Sequence, residues 1–177
     1  MRLITDHYRQ LNIDKHAASS SYGTVGHVYS NEIVDLTRKL ETTDILDYGC
    51  GKSTLANSLP FQIKQYDPCI AKYQADPEPA DIVVCTDVME HIEPECLDDV
   101  LAHIKSKTKK IFYCSINTIP AAKHLADGRN AHLICENMGF WATKLEQHFL
   151  IISIVRRGPD LMVIAEPLED GEKNNVE

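Results

Sequence analysis

Residues 45–55 read Ile-Leu-Asp-Tyr-Gly-Cys-Gly-Lys-Ser-Thr-Leu, and the Gly-Lys-Ser-Thr within them has the look of a loop that encloses nucleoside phosphates. Such a loop requires a glycine, four further residues, then Gly-Lys-Ser/Thr. Counting back from Gly51 puts that first glycine at position 46, which is Leu46. Asp47 also stands at the end of the apolar run, and a carboxylate there repels a polyphosphate. Spacing and charge sign both reject the triphosphate. The same residues suit another ligand. Gly49 and Gly51 let the backbone turn sharply and approach a bound molecule. Asp67 ends the next apolar run, 20 positions after Asp47, where a carboxylate in dinucleotide-type folds accepts hydrogen bonds from ribose hydroxyls. Together they call for a ligand with a ribose and, near Asp47, a cationic or amine-bearing portion.

S-adenosylmethionine answers that description, with a sulfonium, an α-amino group and no phosphate. Its chemistry is direct displacement at the sulfonium methyl, where catalysis is largely positioning and desolvation. A base is needed only when the acceptor must lose a proton. Asp87 and His91, just after a third apolar run, are the first candidates for that work. A second group lies in the polar loop that follows the fourth run. Lys123, His124, Asp127, Arg129, Asn130 and His132 fall within ten residues of one another, and loops carry recognition more often than packing does. The plain alternative is an ordinary Asp127-Gly128 turn with Arg129 in solvent. Residues 22–29 hold two glycines and two tyrosines, Tyr22 among them, and read either as a lid over the ligand or as a connection resting on the sheet.

These residues need a scaffold, and two periodicities supply one. Helical spacing of apolar residues predicts a helix over 30–40 and a stronger one over 93–105, where Leu97, Val100, Leu101 and Ile104 repeat at i, i+3, i+4 and i+7. Acids crowd the start of the second and lysines its end, as the helix dipole favours. Short apolar runs predict strands at 44–48, 63–66, 81–86 and 110–116. A short helix is expected at 53–59, stopped by Pro60, and another at 137–147. Strands at 149–155 and 161–165 close the chain around a turn at 156–159. Residues 1–29 carry little periodicity and are expected to form an irregular arm or short helix. Strand–helix alternation ending in a hairpin means an α/β layered domain with a mainly parallel sheet.

The run ILDYGCGKSTL, the QYDP that contains Asp67, and ADIVVCTDVMEHIEP, taken in order, resemble the class I S-adenosylmethionine-dependent methyltransferases, in particular their small type-11/12-like domains. The resemblance covers about residues 28–165 and implies a Rossmann-like sandwich of seven strands, mainly parallel with an antiparallel terminal strand. It implies that Asp47, Gly49 and Gly51 line the methionine portion of the cofactor and that Asp67 holds its ribose. Cys85, Thr86 and Val88 would border the adenine and the transferring methyl. Asp76 would touch the adenine amino group, or is simply a loop acid between prolines. His91, Asp87 and His132 would serve catalysis, and Arg129, Asn130 and Tyr22 the acceptor. Two departures stand out. Ser53 replaces the third glycine of the loop, and only 13 residues separate Asp67 from Asp81, so one strand–helix unit is expected to be shortened or absent.

The 177 residues suit one domain, 30–166, with an arm or lid before it and a flexible acidic tail at 167–177. A net charge of −8 offers no basic face for a phosphate backbone. Lys105, Lys107, Lys109 and Lys110 read as a helix end. The third run ends in Thr-Asp-Val-Met and not in the Asn/Asp-Pro-Pro-aromatic sequence that grips a flipped base amine, so nucleic acid is disfavoured as acceptor. The six cysteines are scattered without a close Cys pair, and no metal is expected. His132-x-x-Cys135 is the nearest approach to a ligand pair. The pairing of Asp87 with Asn117 bears a faint likeness to metal-dependent catechol-type enzymes. Neither a secretion signal nor a membrane span is evident, and a cytoplasmic protein is expected. The expected activity is methyl transfer to an oxygen or nitrogen of a small-molecule or glycan-like acceptor. The alternative is a cofactor-binding subunit completed by a protein partner, and a homodimer is compatible with either.

Overall fold

The computed structural model describes residues 1–169. Six strands form one sheet, β1 (Ile45–Tyr48), β2 (Lys64–Tyr66), β3 (Ala80–Thr86), β4 (Thr108–Asn117), β5 (Phe149–Arg157) and β6 (Asp160–Pro167). Their spatial order is β2-β1-β3-β4-β6-β5. Strands β2, β1, β3 and β4 run parallel. β6 runs antiparallel between β4 and β5, as expected for the terminal strand.

Side chains alternate across the sheet and sort into two cores. Leu46, Val83, Cys85, Phe112, Cys114 and Val163 face α3 (Leu97–Lys107) and α4 (Met138–Leu145), packing on Val100, Leu101, Ile104 and Trp141. Ile45, Ile82, Val84, Tyr113 and Met162 face the opposite way, against Ile33 of α2 (Ser30–Leu40). Burial on both faces is why β3 is apolar throughout, and why its run was visible in the sequence.

Two expectations need correction. The sheet has six strands and not seven, because the chain between Asp67 and Ala80 makes only turns. β2 is thereby left as a three-residue edge, a length that limits pairing with other chains. The helix expected over 53–59 shrinks to a single 3-10 turn, Ala56–Ser58. Ser53 sits in the left-handed region at φ 61°, so the turn after Gly51 consumes the residues that would nucleate a helix before Pro60. At the start of the flexible tail expected over 167–177, Pro167 pairs with Phe149 and Leu168 N–H donates to His148 O at 3.0 Å. The remainder of that tail, 170–177, lies outside the described residues.

The arm is more regular than its sequence suggests. Asp6–Ala18 forms a 13-residue helix, α1, capped by Thr5 Oγ1, which accepts Tyr8 N–H at 3.1 Å. Glu93 anchors the cap. Its two carboxylate oxygens accept Thr5 N–H and Thr5 Oγ1–H, each at 2.8 Å. Tyr8 Oη–H then donates to His91 O at 2.6 Å. Glu93→Ala removes both charged acceptors, worth about 1.5–3 kcal/mol locally. Amide exchange in α1 is expected to quicken by roughly 10–100-fold while that of β3 and β4 stays unchanged. Equal acceleration throughout would show that α1 is not separately tied down by this carboxylate.

Candidate active site

The candidate residues gather at the carboxyl ends of β1, β2 and β3, the edge at which open α/β sheets bind ligands. A cavity of about 740 Å³, counting its open mouth, lies there. Its floor is the loop after β1 with Gly49 and Gly51, its sides are Tyr66, Asp67 and Val88, and its roof is α1 with Tyr22 and Gly23. A smaller recess of about 280 Å³ continues beneath Gly23 and Gly26, bordered by Asp47, Cys50, Thr86 and Asp87.

Gly49 and Gly51 are required by contact as well as by backbone. Gly49, at φ +80°, donates its N–H to Tyr66 O at 2.7 Å, and a Cβ on it would lie 2.4 Å from Val88 Cγ2. Gly51, at φ +49°, lies against the arm, where a Cβ would come 2.7 Å from Gly23 O. Lys52 N–H closes the join by donating to Gly23 O at 2.9 Å. The loop therefore holds the strand tips on one side and the roof on the other.

Asp67 has both oxygens engaged by backbone, Oδ2 with Gly51 N–H at 3.0 Å and Oδ1 with Cys69 N–H at 2.8 Å. Burial raises its pKa, against the pull of those amides and of His16. Asp47 is as deeply buried, yet its carboxylate makes no hydrogen bond among the described residues. Burial, and then the nearby Asp67, push its pKa up to about 7. His16 joins this pair from α1. Burial lowers its pKa and its Nδ1 has no partner.

The second cluster begins where β3 ends. Asp87 takes the left-handed region at φ 58°, its N–H donating to Ser115 Oγ at 3.1 Å, and burial raises its pKa. Glu90, on the 3-10 turn Met89–His91, is fully buried. Its Oε1 accepts Asn117 N–H at 2.8 Å and its Oε2 has no partner. Burial, then Asp87, push it up to about 8. His91 Nδ1 lies 2.7 Å from Ala131 O and His132 Nδ1 lies 2.6 Å from Ile119 O. A carbonyl only accepts, so both rings donate from Nδ1, and the neutral His91 ring presents a bare Nε2. The rings meet edge-on with centroids 4.8 Å apart. Burial, and then His132, hold His91 down to about 4, so it is neutral.

Of the residues expected from sequence, Asp47, Gly49, Gly51, Asp67, Thr86, Asp87, Val88, His91 and Tyr22 line these two spaces. His132 reaches them through His91. Cys85 is not brought there. It alternates onto the α3 face and is fully buried in the core. Asp76 stands outside, bonded to His103 Nε2 at 2.8 Å and Lys107 Nζ at 2.7 Å, because the missing strand–helix unit lets its loop drop onto α3. Asn130 spends its amide on the loop itself, donating to Ala121 O at 2.8 Å and accepting from Ala121 and His132 N–H at 2.9 Å. Arg129 pairs with Asp127 at 2.8 Å and lies over Tyr8, 5.3 Å from its ring centre. Asn117 bonds Asp160 and Ile119 and so does not join Asp87. Sequence reasoning missed Glu90, and it missed Tyr8, Asn12 and His16, whose i, i+4, i+8 spacing along α1 was the available signal.

Strand order, the antiparallel insertion and a site at the strand tips define a Rossmann-like sandwich of the class I S-adenosylmethionine-dependent methyltransferase fold. Solved structures agree. The chain resembles a 1,6-didemethyltoxoflavin-N1-methyltransferase from Burkholderia thailandensis, crystallised with 1,6-didemethyltoxoflavin and S-adenosylhomocysteine. The match has a TM-score of 0.67 and 15% identity over 96% of this chain and 93% of that one. DhpI in complex with S-adenosylhomocysteine matches at TM-score 0.60 and 14% identity, over 94% and 100% of the two chains. Magnesium protoporphyrin IX methyltransferase from Synechocystis PCC 6803 matches at 0.51 and 12%, over 81% and 84%. No family model and no curated protein sequence matches the chain.

The tightness of the roof is measurable. Gly51→Ala meets backbone at 2.7 Å, whereas Gly128→Ala, also at positive φ, meets nothing within 4 Å. Both substitutions carry the left-handed penalty, but urea unfolding should show Gly51→Ala costing about 1–3 kcal/mol more. Equal costs would mean that the arm does not rest on the loop in solution.

Proposed function

We propose that the chain is an S-adenosylmethionine-dependent methyltransferase acting on an oxygen or nitrogen of a small-molecule acceptor. The observation that carries this reading is Asp47, a buried carboxylate at the base of a glycine loop that makes no hydrogen bond among the described residues. A buried charge without a partner is costly, and the α-ammonium group of the cofactor would provide the partner. Asp67 borders the cavity where the ribose hydroxyls would lie, with lone pairs left beyond those its two amides use.

The acceptor would approach from the side of Asp87 and His91. Its electron pair forms the new bond to the methyl carbon, the sulfonium–methyl bond breaks, and sulfur keeps that pair as the neutral thioether. Where the acceptor carries a proton, neutral His91 Nε2 would take it. Arg129, over Tyr8, and Tyr22, bonded to Asn12, would meet the acceptor. The neighbours include an N-methyltransferase solved with its acceptor, which supports a small molecule as substrate class. Among the described residues no helix is long and apolar enough to cross a membrane.

A second reading, a cofactor-binding subunit completed by a partner or a second copy, has one observation in its favour. The edge strand β5 leaves Leu150, Ile152 and Val155 about half exposed. Labelled-methyl transfer by the purified chain to a cell-extract fraction of small molecules separates the two. Cofactor binding with no labelled product, restored on adding the protein fraction, would favour the subunit.

Two measurements test the cofactor assignment. Asp67→Asn should weaken S-adenosylhomocysteine binding by about 1.5–3 kcal/mol in calorimetry, since two hydroxyls lose a charged acceptor. Unchanged affinity would remove Asp67 from the ribose. For Asp47 the sign follows from its raised pKa. Relative to an ordinary value of 3.8, the empty protein's stability contribution is complete below about pH 4 and is lost as pH rises through about 7. An ammonium ligand binds the ionised form, so affinity should fall up to tenfold per unit as pH drops below about 7. A flat profile between about pH 8 and 5.5 would contradict that role.

A further inference from the structure

Asp87, Glu90, His91 and His132 each offer one ligand atom, and the four atoms lie within 4.8 Å of one another. They come from three segments, namely the end of β3, the 3-10 turn after it, and the loop before α4. Each is braced from behind. Asp87 is turned inward by its left-handed backbone and Ser115. Glu90 is fixed through Oε1 by Asn117 N–H, leaving the buried Oε2 unpartnered. Both histidines hold a backbone carbonyl through Nδ1, which leaves Nε2 as the ligand atom. A ring nitrogen that donates to a carbonyl while the other is left bare is the arrangement metal-ligating histidines adopt.

We propose that these four side chains form a binding site for one divalent transition-metal ion. Two imidazole nitrogens and two carboxylate oxygens favour Mn²⁺, Fe²⁺, Co²⁺ or Zn²⁺ over Mg²⁺ and Ca²⁺, which prefer oxygen alone. Two ligands opposed across such an ion are about 4.2 Å apart, so the cluster has to close by roughly half an ångström. The ion offers a positive charge to two carboxyl groups that otherwise face each other in a buried corner. It gives Glu90 Oε2 a partner.

Asp87 and His91 also line the larger cavity, so the ion stands in its wall and, when bound, takes the His91 lone pair that the metal-free site offers as a base. If the methyltransferase reading holds, on which this step alone rests, the acceptor is a hydroxylated or carboxylated molecule whose oxygen takes an open coordination position. Metal binding itself depends only on the four side chains.

The test uses the full chain, stripped with a chelator and desalted, and titrated with Co²⁺ and with Zn²⁺. One equivalent is expected to bind, and the cobalt spectrum should lack a thiolate charge-transfer band. Glu90→Gln and His132→Gln should each weaken binding at least about tenfold, while Cys135→Ser, at an exposed thiol, changes nothing. Thermal unfolding without metal checks that the variants fold, and if they do not, the wild-type stoichiometry and spectrum decide. Absence of binding up to about 100 µM metal, a thiolate band, or retention of affinity in both variants would overturn the site. S-adenosylhomocysteine titration of the metal-free chain runs in parallel. Cofactor binding without metal binding refutes only the metal, and the reverse refutes only the methyltransferase reading.

Discussion

Everything at the carboxyl edge of this sheet is governed by the burial of carboxylates with which, among the described residues, no lysine or arginine forms an ion pair. Asp47, Asp67, Asp87 and Glu90 sit at or just beyond three strand tips, and burial is the largest cause of the raised pKa of each. Elsewhere the chain treats acids conventionally. Asp44, at the opposite end of β1, pairs with Lys64 at 2.6 Å and Lys109 at 2.9 Å. Asp76 has His103 and Lys107. The contrast is local, and it marks where the fold has accepted an unfavourable charge arrangement that a ligand can relieve.

That arrangement persists because the surroundings leave it no way to relax. Gly49 lies on Val88, Gly51 lies on Gly23, and the amide of Gly51 is committed to Asp67. α1 closes the top through Thr5 on Glu93 and Tyr8 on the carbonyl of His91. Below, Tyr48 Oη meets His103 Nδ1 at 2.8 Å, and His103 Nε2 meets Asp76. A cavity wall is thus tied to the far side of α3, in the place where a seventh strand and its helix are missing. The abbreviated sheet compensates with a polar strut from Asp76 and a roof from α1.

How legible this was depends on what each element buries. β3 and α3 announced themselves because their buried sides are purely apolar. The Asp47–Gly49–Gly51 turn and Asp67 were readable because charge and glycine at strand ends have few other uses. α1 was not, since the side it turns inward is Tyr8, Asn12 and His16, and its stability comes from a cap and a distant carboxylate. Glu90 hid for a related reason. An acid on a short turn looks solvated until Asn117 N–H and Asp87 are brought to it by β4 and β3. Asp76 and Asn130 were misleading in the other direction, because a polar residue in a loop reads as recognition while its actual bonds hold the loop together.

The corner formed by Asp87, Glu90, His91 and His132 carries the same logic furthest. A histidine beside carboxylates ordinarily gains a proton and becomes their counter-ion. Here His91 is kept neutral by burial and by His132, and both Nδ1 protons are spent on carbonyls. The free His91 ring nitrogen is therefore an acceptor, and the orphaned Glu90 oxygen and the Asp87 carboxylate beside it accept once ionised. Among the described residues no donor reaches the Glu90 oxygen. Four groups able to ligate a metal converge from three segments, with the histidine N–H groups turned outward to brace the backbone, and leave a space that suits a cation. The Asp47 recess next to it has the same sign. Two neighbouring sites that share Asp87 as a wall are both short of positive charge, and the N-terminal helix holds the cover over the cavity between them.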